Sequence, residues 1–452
     1  MNTQKSPLVL GTEPVGKLLK QYALPAIVAM TASSLYNIVD SIFIGHGVGM
    51  LAIAGITLTF PLMNLAAAFG SLVGVGASTV ISVKLGQKDY RNANRVLGNV
   101  LVLNIILGIS FSVLCFPFLD PVLYFFGASE HTLPYARDFM HIILAGNAIT
   151  HMYLGLNAII RSGGNPRTAM YITLLSVLIN CALAPVFIFG FHWGIRGAAW
   201  ATVIAQAVSL ALQIVYLMNP EQVISLRKSI FRLKSELVKD ILSIGLSPFL
   251  MNICSCLVVI LITRGLKQWD GDIAVSAYGI LNRILFLFIM VVMGLNQGMQ
   301  PIAGYNYGAR RFGRVVAVTR ATIFWAVGVT TFGAFICQLA PRFIVGWFTP
   351  DAELIEVCVY GIRIVFSVFP LVGFQMVATN FFLSTGKPKT AIFLSLARQL
   401  IFLVPCLMVL PTFLHTTGVW LSLPIADTIS AVLTSVMFMQ AINSFKKKTF
   451  YS

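Results

Sequence analysis

The apolar residues of this chain come in long blocks separated by short polar clusters, and each block reaches the roughly 20 residues a helix needs to cross a bilayer. Blocks of that length read as membrane spans, not as strands of a soluble core. Composition agrees, with 58% of the 452 residues hydrophobic and 10% charged, where soluble domains carry roughly a quarter of their residues as charges. Bounded by charges, Gly or Pro, six spans are expected at 21–45, 51–83, 94–116, 134–160, 168–190 and 197–218. Six more follow at 238–263, 273–303, 315–338, 353–383, 390–410 and 417–442. The fold class is therefore an all-α polytopic membrane protein of twelve transmembrane helices.

The placement of basic residues orients these spans. Alternate polar segments, beginning at the N-terminus, carry Lys5, Lys17 and Lys20; Lys84, Lys88, Arg91 and Arg95; Arg161 and Arg167; and Arg227, Lys228, Arg232, Lys234 and Lys239. The same side then receives Arg310, Arg311, Arg314 and Arg320, Lys387 and Lys389, and Lys446 to Lys448, so 23 of the 31 basic residues share it. The other side holds only Arg137, Arg196, Arg264, Lys267 and Arg342. By the positive-inside rule, both termini are expected to be cytoplasmic. The excess of basic residues thus points to anionic lipid as a partner. Nucleic acid would need a basic face on a soluble domain, and none is present.

Sliding the sequence by 222 residues exposes an internal repeat. Arg161-Ser-Gly-Gly-Asn-Pro-Arg-Thr-Ala169 falls on Leu383-Ser-Thr-Gly-Lys-Pro-Lys-Thr-Ala391, and Gly86-Gln-Lys-Asp-Tyr-Arg91 falls near Gly308-Ala-Arg-Arg-Phe-Gly313. Six spans are duplicated in parallel orientation, as an even number requires. The expected organisation is an N-terminal lobe over 1–218, a connecting segment over 219–240 and a C-terminal lobe over 241–452. Duplicated bundles of this kind commonly alternate access around a site near the midplane. The connection places Val223, Ile224, Leu226, Ile230, Leu233 and Leu237 among charges, which fits either an amphipathic segment on the membrane surface or a solvated linker.

Other chemistries find no support. The seven cysteines lie in apolar segments and read as core residues. His131, His141, His151, His192 and His415 lack metal-ligand spacing with carboxylates, so no metal site is expected from them. No phosphate-binding Gly-rich loop ending in Lys-Ser or Lys-Thr occurs. No nucleophile and base stand together, so the chain does not read as an enzyme. The first apolar block runs well past the length of a signal-peptide core, and no removed leader is expected.

Ionisable residues inside spans are costly and mark function or pairing. Asp40 in the first span reads as a reversibly protonated carboxylate or as a structural, hydrogen-bonded acid. Asp427 in the last span could pair with Arg398 of the eleventh, or serve as a second proton site or a contact for cationic compounds.

Leu24-Pro25-Ala26 followed by Tyr36-Asn-Ile-Val-Asp-Ser-Ile-Phe-Ile-Gly45 resembles the first helix of the multidrug and toxic compound extrusion (MATE) family, in its DinF-like and MepA-like branch. Arg161-Ser-Gly-Gly-Asn-Pro166, Asn180 with Pro185-Val-Phe-Ile-Phe-Gly190, and Gln297-Gly-Met-Gln-Pro-Ile302 through Asn306-Tyr-Gly308 extend the resemblance along essentially the whole chain. It implies two pseudo-symmetric six-helix lobes in a bacterial-type cytoplasmic (inner) membrane. It also implies a monomeric secondary transporter that exports organic, often cationic, compounds by alternating access, with no cofactor beyond inward protons or sodium as coupling ion. A lipid or lipid-linked saccharide flippase of the wider superfamily is the alternative.

The resemblance further implies a polar network around Asp40, matched here by Tyr36, Asn180 and Thr202, with Asn157 as an addition from the fourth span. These groups could hydrogen-bond either charge state of the acid, or help Asp40 and Asn180 hold a sodium ion; the plainer alternative is interhelical hydrogen bonding. Where many members carry a fifth-span acid, this chain has Ala184, so a two-carboxylate site is not available. A substrate cavity would draw on Met30, Phe60, Met63, Met290, Met293 and Gln297, with Asn282, Arg283, Arg398 and Asp427 as polar contacts. Met and aromatic side chains suit varied ligands, although most of them in any bundle simply pack or face lipid.

Overall fold

The computed structural model describes residues 9–126, 128–226 and 233–450, and among them all regular structure is helical. Of the basic residues used for orientation, Lys5, Arg227, Lys228 and Arg232 lie outside the described residues, as do Ile230 of the connecting segment and the side chains of Lys446 to Lys448.

Helices α1 (Val15–Gly47), α2 (Met50–Gly86) and α3 (Tyr90–Cys115) open the chain. Helices α4 (Leu133–Ala145) and α5 (Asn147–Ser162) meet at a 56° bend. After them run α6 (Pro166–Pro185), α7 (Gly194–Met218) and the 74-residue α8 (Ser235–Gly308). Then come α9 (Phe312–Leu339), α10 (Ala352–Val365), α11 (Phe369–Ser384), α12 (Pro388–Leu396) and α13 (Val404–Phe450).

At 1.5 Å per residue, α8 as one rod would be about 110 Å long, several bilayer cores. It is two helices, because Gly271 breaks it with φ 69° and ψ −153°. His415 does the same to α13, with φ 51° and ψ −131°. Among the described residues ten stretches are long and apolar enough to cross a membrane, and the bent α4–α5 pair makes eleven. One of them, Pro388–Phe445, is 58 residues long and is divided at His415 into two crossings. The twelve expected spans are accounted for.

The repeat reappears in the backbone. Left-handed φ is costly for any residue with a Cβ, yet Lys88 (φ 60°) and Arg310 (φ 58°) both adopt it, 222 residues apart. The same offset joins Gly49 (φ 111°) to Gly271 (φ 69°) and Gly164 (φ 109°) to Gly386 (φ 64°), and His192 (φ 55°) precedes His415 by 223. Each pair reverses the chain between corresponding spans of the two halves.

Contacts divide the chain into two units. One contains residues 9–12 and Val28–Phe249, the other Glu13–Ile27 and residues 250–450. The boundaries thus fall inside α1 and α8, not in the 219–240 connection, and each unit includes the opening of the other half's first span. Glycine makes this possible. Within the first unit, a Cβ on Gly76 of α2 would run into the Ile241 carbonyl oxygen, and one on Gly245 would run into that of Leu72. Within the second, a Cβ on Gly298 would lie 2.5 Å from the Ala23 backbone. Backbone meets backbone at both crossings, and Gly76 and Gly298 are again 222 residues apart.

Each unit has its own core. That of the first gathers Ile44, Leu62, Phe111, Phe139, Ala184 and Ala198, and that of the second surrounds the fully buried Trp420 with Tyr278, Phe366 and Phe369. The start of the connecting segment is a strap on α3. Asn94 donates from Nδ2 to the Val223 carbonyl (3.1 Å) and accepts from the Ser225 amide (2.8 Å), while Asn99 Oδ1 accepts from the Lys234 amide (3.0 Å). Ile224 and Ser225 within it are buried. Residues 223–226 are therefore held against α3 and are not helical, so they are not a free solvated linker.

Candidate functional site

The polar core of the first unit is built where α1, α5, α6 and α7 converge. Asp40 stands one helical turn after Tyr36 on α1, so both face the same way. Its Oδ1 is buried and has no hydrogen-bond partner among the described residues. It lies close enough to Tyr36 and to Cys181 of α6 for its charge to act on both.

Tyr36 reaches across to α7, where its hydroxyl lies 3.0 Å from Thr202 Oγ1. Asn180 Nδ2 of α6 donates to that same oxygen at 3.0 Å, and Thr202 Oγ1 donates to the Ala198 carbonyl at 3.1 Å. A hydroxyl has one proton and two lone pairs. With its proton on Ala198, Thr202 accepts from both Tyr36 and Asn180 and has no lone pair left. Tyr36 is therefore the donor of its pair.

A cavity of about 200 Å³ adjoins this cluster, lined by Ser33, Tyr36, Tyr153, Ser176, Asn180, Thr202 and Gln206 among others. Thr150 Oγ1 donates to Gln206 Oε1 at 2.5 Å and holds that wall. Ala184, the position without an acid, is fully buried in the apolar core.

Asn157 belongs to a neighbouring cluster instead. Its Nδ2 donates to the Ala169 carbonyl and to Thr173 Oγ1, both at 3.0 Å, and its Oδ1 accepts from Arg161 Nη2 at 2.9 Å. Tyr153, absent from the residues the sequence singles out, stands one turn before Asn157 on α5 and lines the cavity together with Ser176. Tyr153, Asn157 and Arg161 stand at intervals of four on α5, a spacing that puts them on one face and that the sequence displays.

The second unit carries different groups at the corresponding places. At the 222-residue offset Tyr36, Asp40, Asn180 and Thr202 become Val258, Ile262, Phe402 and Pro424, so the acid and its partners occur once. Ser176 and Ala205, which line the cavity, become Arg398 and Asp427. There Arg398 Nε donates to Asp427 Oδ1 at 2.7 Å, with the side chains 23% and 13% exposed. Nearby, Gln375, the counterpart of Tyr153, donates to Ser430 Oγ. An ion pair thus stands in the second half where the first half has neutral cavity walls.

The substrate candidates are spread over both units. In the first, Met30 and Met63 are half-buried and Phe60 is exposed. Met63 packs on the core and its sulfur accepts from the Thr59 hydroxyl. In the second, Met290 and Gln297 are half-buried, while Met293, Asn282 and Arg283 are exposed on α8. None of them lines the Tyr36 cavity. Among the described residues no group of three or more His, Cys, Asp or Glu could hold a metal ion.

Residues 25–186 and 244–408 match the model of the MatE family, one segment in each half of the repeat. The chain is 29% identical over 423 residues to the multidrug export protein MepA of Staphylococcus aureus, covering 93% of this chain and 92% of that protein. It is 37% identical to the MATE multidrug transporter DinF-BH, solved in complex with a ligand, with a TM-score of 0.90 over 96% of this chain and 98% of that one. A MOP superfamily transporter from Pyrococcus furiosus, for which reversed polarity of the binding pocket suggests a different function, shares the fold at 23% identity with a TM-score of 0.92, over 99% of this chain and 100% of that one.

Proposed function

The chain belongs to the MatE family, and from that membership we propose that it is a proton-coupled multidrug exporter, moving organic and often cationic compounds outward as protons run inward at Asp40. MepA and DinF-BH, both named for multidrug transport, support the substrate class. The observation that carries the coupling ion is the saturated Thr202 oxygen. Sodium needs several oxygen ligands at once, and the charged oxygens offered here are those of Asp40 alone; the others are neutral amide and hydroxyl oxygens, and both Thr202 lone pairs are already taken by Tyr36 and Asn180. A lone carboxylate with an oxygen that has no hydrogen-bond partner among the described residues suits a proton better, since protonation needs no coordination shell.

In this reading the protein works as a monomer in the cytoplasmic membrane with both termini inside, as the alternation of basic residues supports. Protonation of Asp40 removes a charge from a span and changes which packing of α1 is cheapest, which is the step that alternates access. No cofactor takes part.

The test is efflux of a cationic rhodamine dye from proteoliposomes under separately imposed proton and sodium gradients. A proton gradient should drive efflux and a sodium gradient at equal pH should not. Asp40→Asn should reduce proton-driven efflux to the background of empty liposomes while leaving the yield of folded protein unchanged. Efflux driven by sodium alone, or full proton-driven efflux in the Asn variant, overturns the reading.

A further inference from the structure

Helix α9 carries a groove of about 730 Å³ on one face, and every residue that lines it belongs to α9 itself. The lining runs from Arg320 to Phe335 at intervals of three and four, the spacing of a single helical stripe. Gly328 makes the floor: a Cβ there would meet nothing within 4 Å, so the groove reaches down to the backbone. Phe324 and Phe332 stand one turn to either side of it, 72% and 61% exposed, and Phe335 follows at 62%. The opposite face of α9 is packed, with Ala326 and Thr330 buried and a Cβ on Gly373 of α11 set to lie 2.5 Å from Thr330 Oγ1. Thus α9 is held from behind and turns its aromatic stripe toward the membrane.

One end of the groove is cationic. Arg320 is exposed and makes no hydrogen bond or ion pair among the described residues, and no residue lining the groove is acidic. The internal repeat supplies a comparison within the same molecule. At the 222-residue offset Arg320, Gly328 and Phe332 become Gly98, Ile106 and Ser110 of α3, and Gly98 is buried. That end of α3 is where Asn94 and Asn99 hold the strap of the connecting segment. In their places α9 has Val316 and Ala321, and so lacks the amides that hold a strap. A helix end covered by protein in the first half is therefore open in the second, and there it carries a charge and a notch.

We propose that this groove is a binding site for one anionic phospholipid, with the phosphate on the Arg320 guanidinium and an acyl chain laid over Gly328 between the phenylalanine rings. Charge favours this occupant. Arg320 closes the basic segment that begins at Arg310, on the side that bears 23 of the 31 basic residues, and such segments attract anionic headgroups. A zwitterionic headgroup brings an ammonium with its phosphate, and the groove has no acid to receive it. Length favours it too. From Arg320 to Phe335 the helix rises about 22 Å at 1.5 Å per residue, and one leaflet contributes about half of a 30 Å hydrocarbon core. A chain that starts at the Arg320 level therefore passes Gly328 and ends near Phe332. The volume lies within the roughly 300–1,000 Å³ of sites that hold small ligands. The inference goes beyond the exporter reading and does not depend on the coupling ion.

The test titrates delipidated full-length protein, in a neutral detergent, with phosphatidylglycerol or with phosphatidylcholine of the same acyl chains. Melting temperature is the readout, because a ligand of the folded state raises it on binding. Phosphatidylglycerol should half-saturate the rise at a lower concentration than phosphatidylcholine. Arg320→Gln should raise that concentration about fivefold, the effect of one basic residue at a membrane surface, and leave phosphatidylcholine unchanged, while Arg320→Lys keeps the preference. Gly328→Leu fills the floor and should weaken both lipids at least about fourfold, the loss of one buried methylene, with the headgroup preference intact. Phe332→Ala removes a wall, should weaken both lipids in the same way, and carries the test if Gly328→Leu fails to fold. Inorganic phosphate should not move the melting temperature. Equal half-saturation by the two lipids in the parent, or an undiminished preference in Arg320→Gln, overturns the inference. So does parent-like binding in both the Gly328 and Phe332 variants, which would leave a surface cation without a groove, or a matching rise with inorganic phosphate, which would make the site one for a free anion.

Discussion

Two carboxylates placed inside spans differ in what surrounds them. Asp427 has the Arg398 guanidinium at 2.7 Å, whereas a buried oxygen of Asp40 has no partner among the described residues. Removing one member of a shielded pair leaves the other charge uncompensated, while replacing both with apolar residues of similar size avoids that cost. Asp427→Asn should therefore destabilise the protein by about 3 kcal/mol, read as a lowered melting temperature in detergent. The double variant Arg398→Leu with Asp427→Leu should recover most of the loss. A parent-like melting temperature in the single variant would show that the pair contributes nothing to stability. Thr202→Val strands two donors, Tyr36 and Asn180, and should cost about 1–3 kcal/mol in the same assay. Much of this site is legible in the sequence because intramembrane acids and amides are rare. Asp40, Tyr36, Asn180 and Thr202 are brought together as the family resemblance implies, and Asp427 meets Arg398. Asn157 was legible as a polar intramembrane residue, but its partners were not. They depend on how α5 leaves the bend at Gly146 and on a threonine hydroxyl, a group too common to stand out. Tyr153 was missed for the same reason, although its four-residue spacing to Asn157 and Arg161 was in plain view.

Among helices, the most demanding contacts are those where glycine lets two backbones touch. A methyl on Gly76 would enter the Ile241 carbonyl oxygen, and backbone cannot step aside as a flexible side chain can. Gly76→Ala should cost about 1–3 kcal/mol, the usual range for overpacking. Gly279 of α8 gives the contrast, since a Cβ there would meet nothing within 4 Å. Gly279→Ala should stabilise by about 0.5–1 kcal/mol through a less mobile unfolded chain, so melting temperatures of the two variants should move in opposite directions. Span number and approximate limits follow from apolar length and polar punctuation, which is why twelve blocks give twelve crossings. What the blocks conceal is where a span changes company. Nothing in the run from Val15 to Gly47 marks the point after Ile27 at which α1 passes from one contact unit to the other. That depends on Gly294 and Gly298 far along the chain, and glycines in apolar helices are too frequent to single out.

Across the whole molecule, each contact unit is incomplete without a segment from the opposite half of the sequence: residues 13–27 in one case and 241–249 in the other. A half-chain ending at residue 226 would lack Ile241 and Gly245 against Gly76, and one beginning at residue 233 would lack Ala23 against Gly298. Separately expressed halves should therefore be degraded or aggregate, and co-expressed halves should yield a monodisperse complex by size exclusion. Stable, monodisperse single halves would contradict this. The 222-residue repeat was visible from two short motifs, and the structure extends it to backbone joints that no motif announces, because Lys88 and Arg310 do not look like left-handed residues. Those joints have a practical consequence. Half of the chain can serve as the other half's reference: a substitution at Lys88 has a built-in twin at Arg310, and one at Gly164 has its twin at Gly386. The difference between twin measurements cancels the cost of the turn itself and isolates what sets the six spans that carry Asp40 apart from the six that do not.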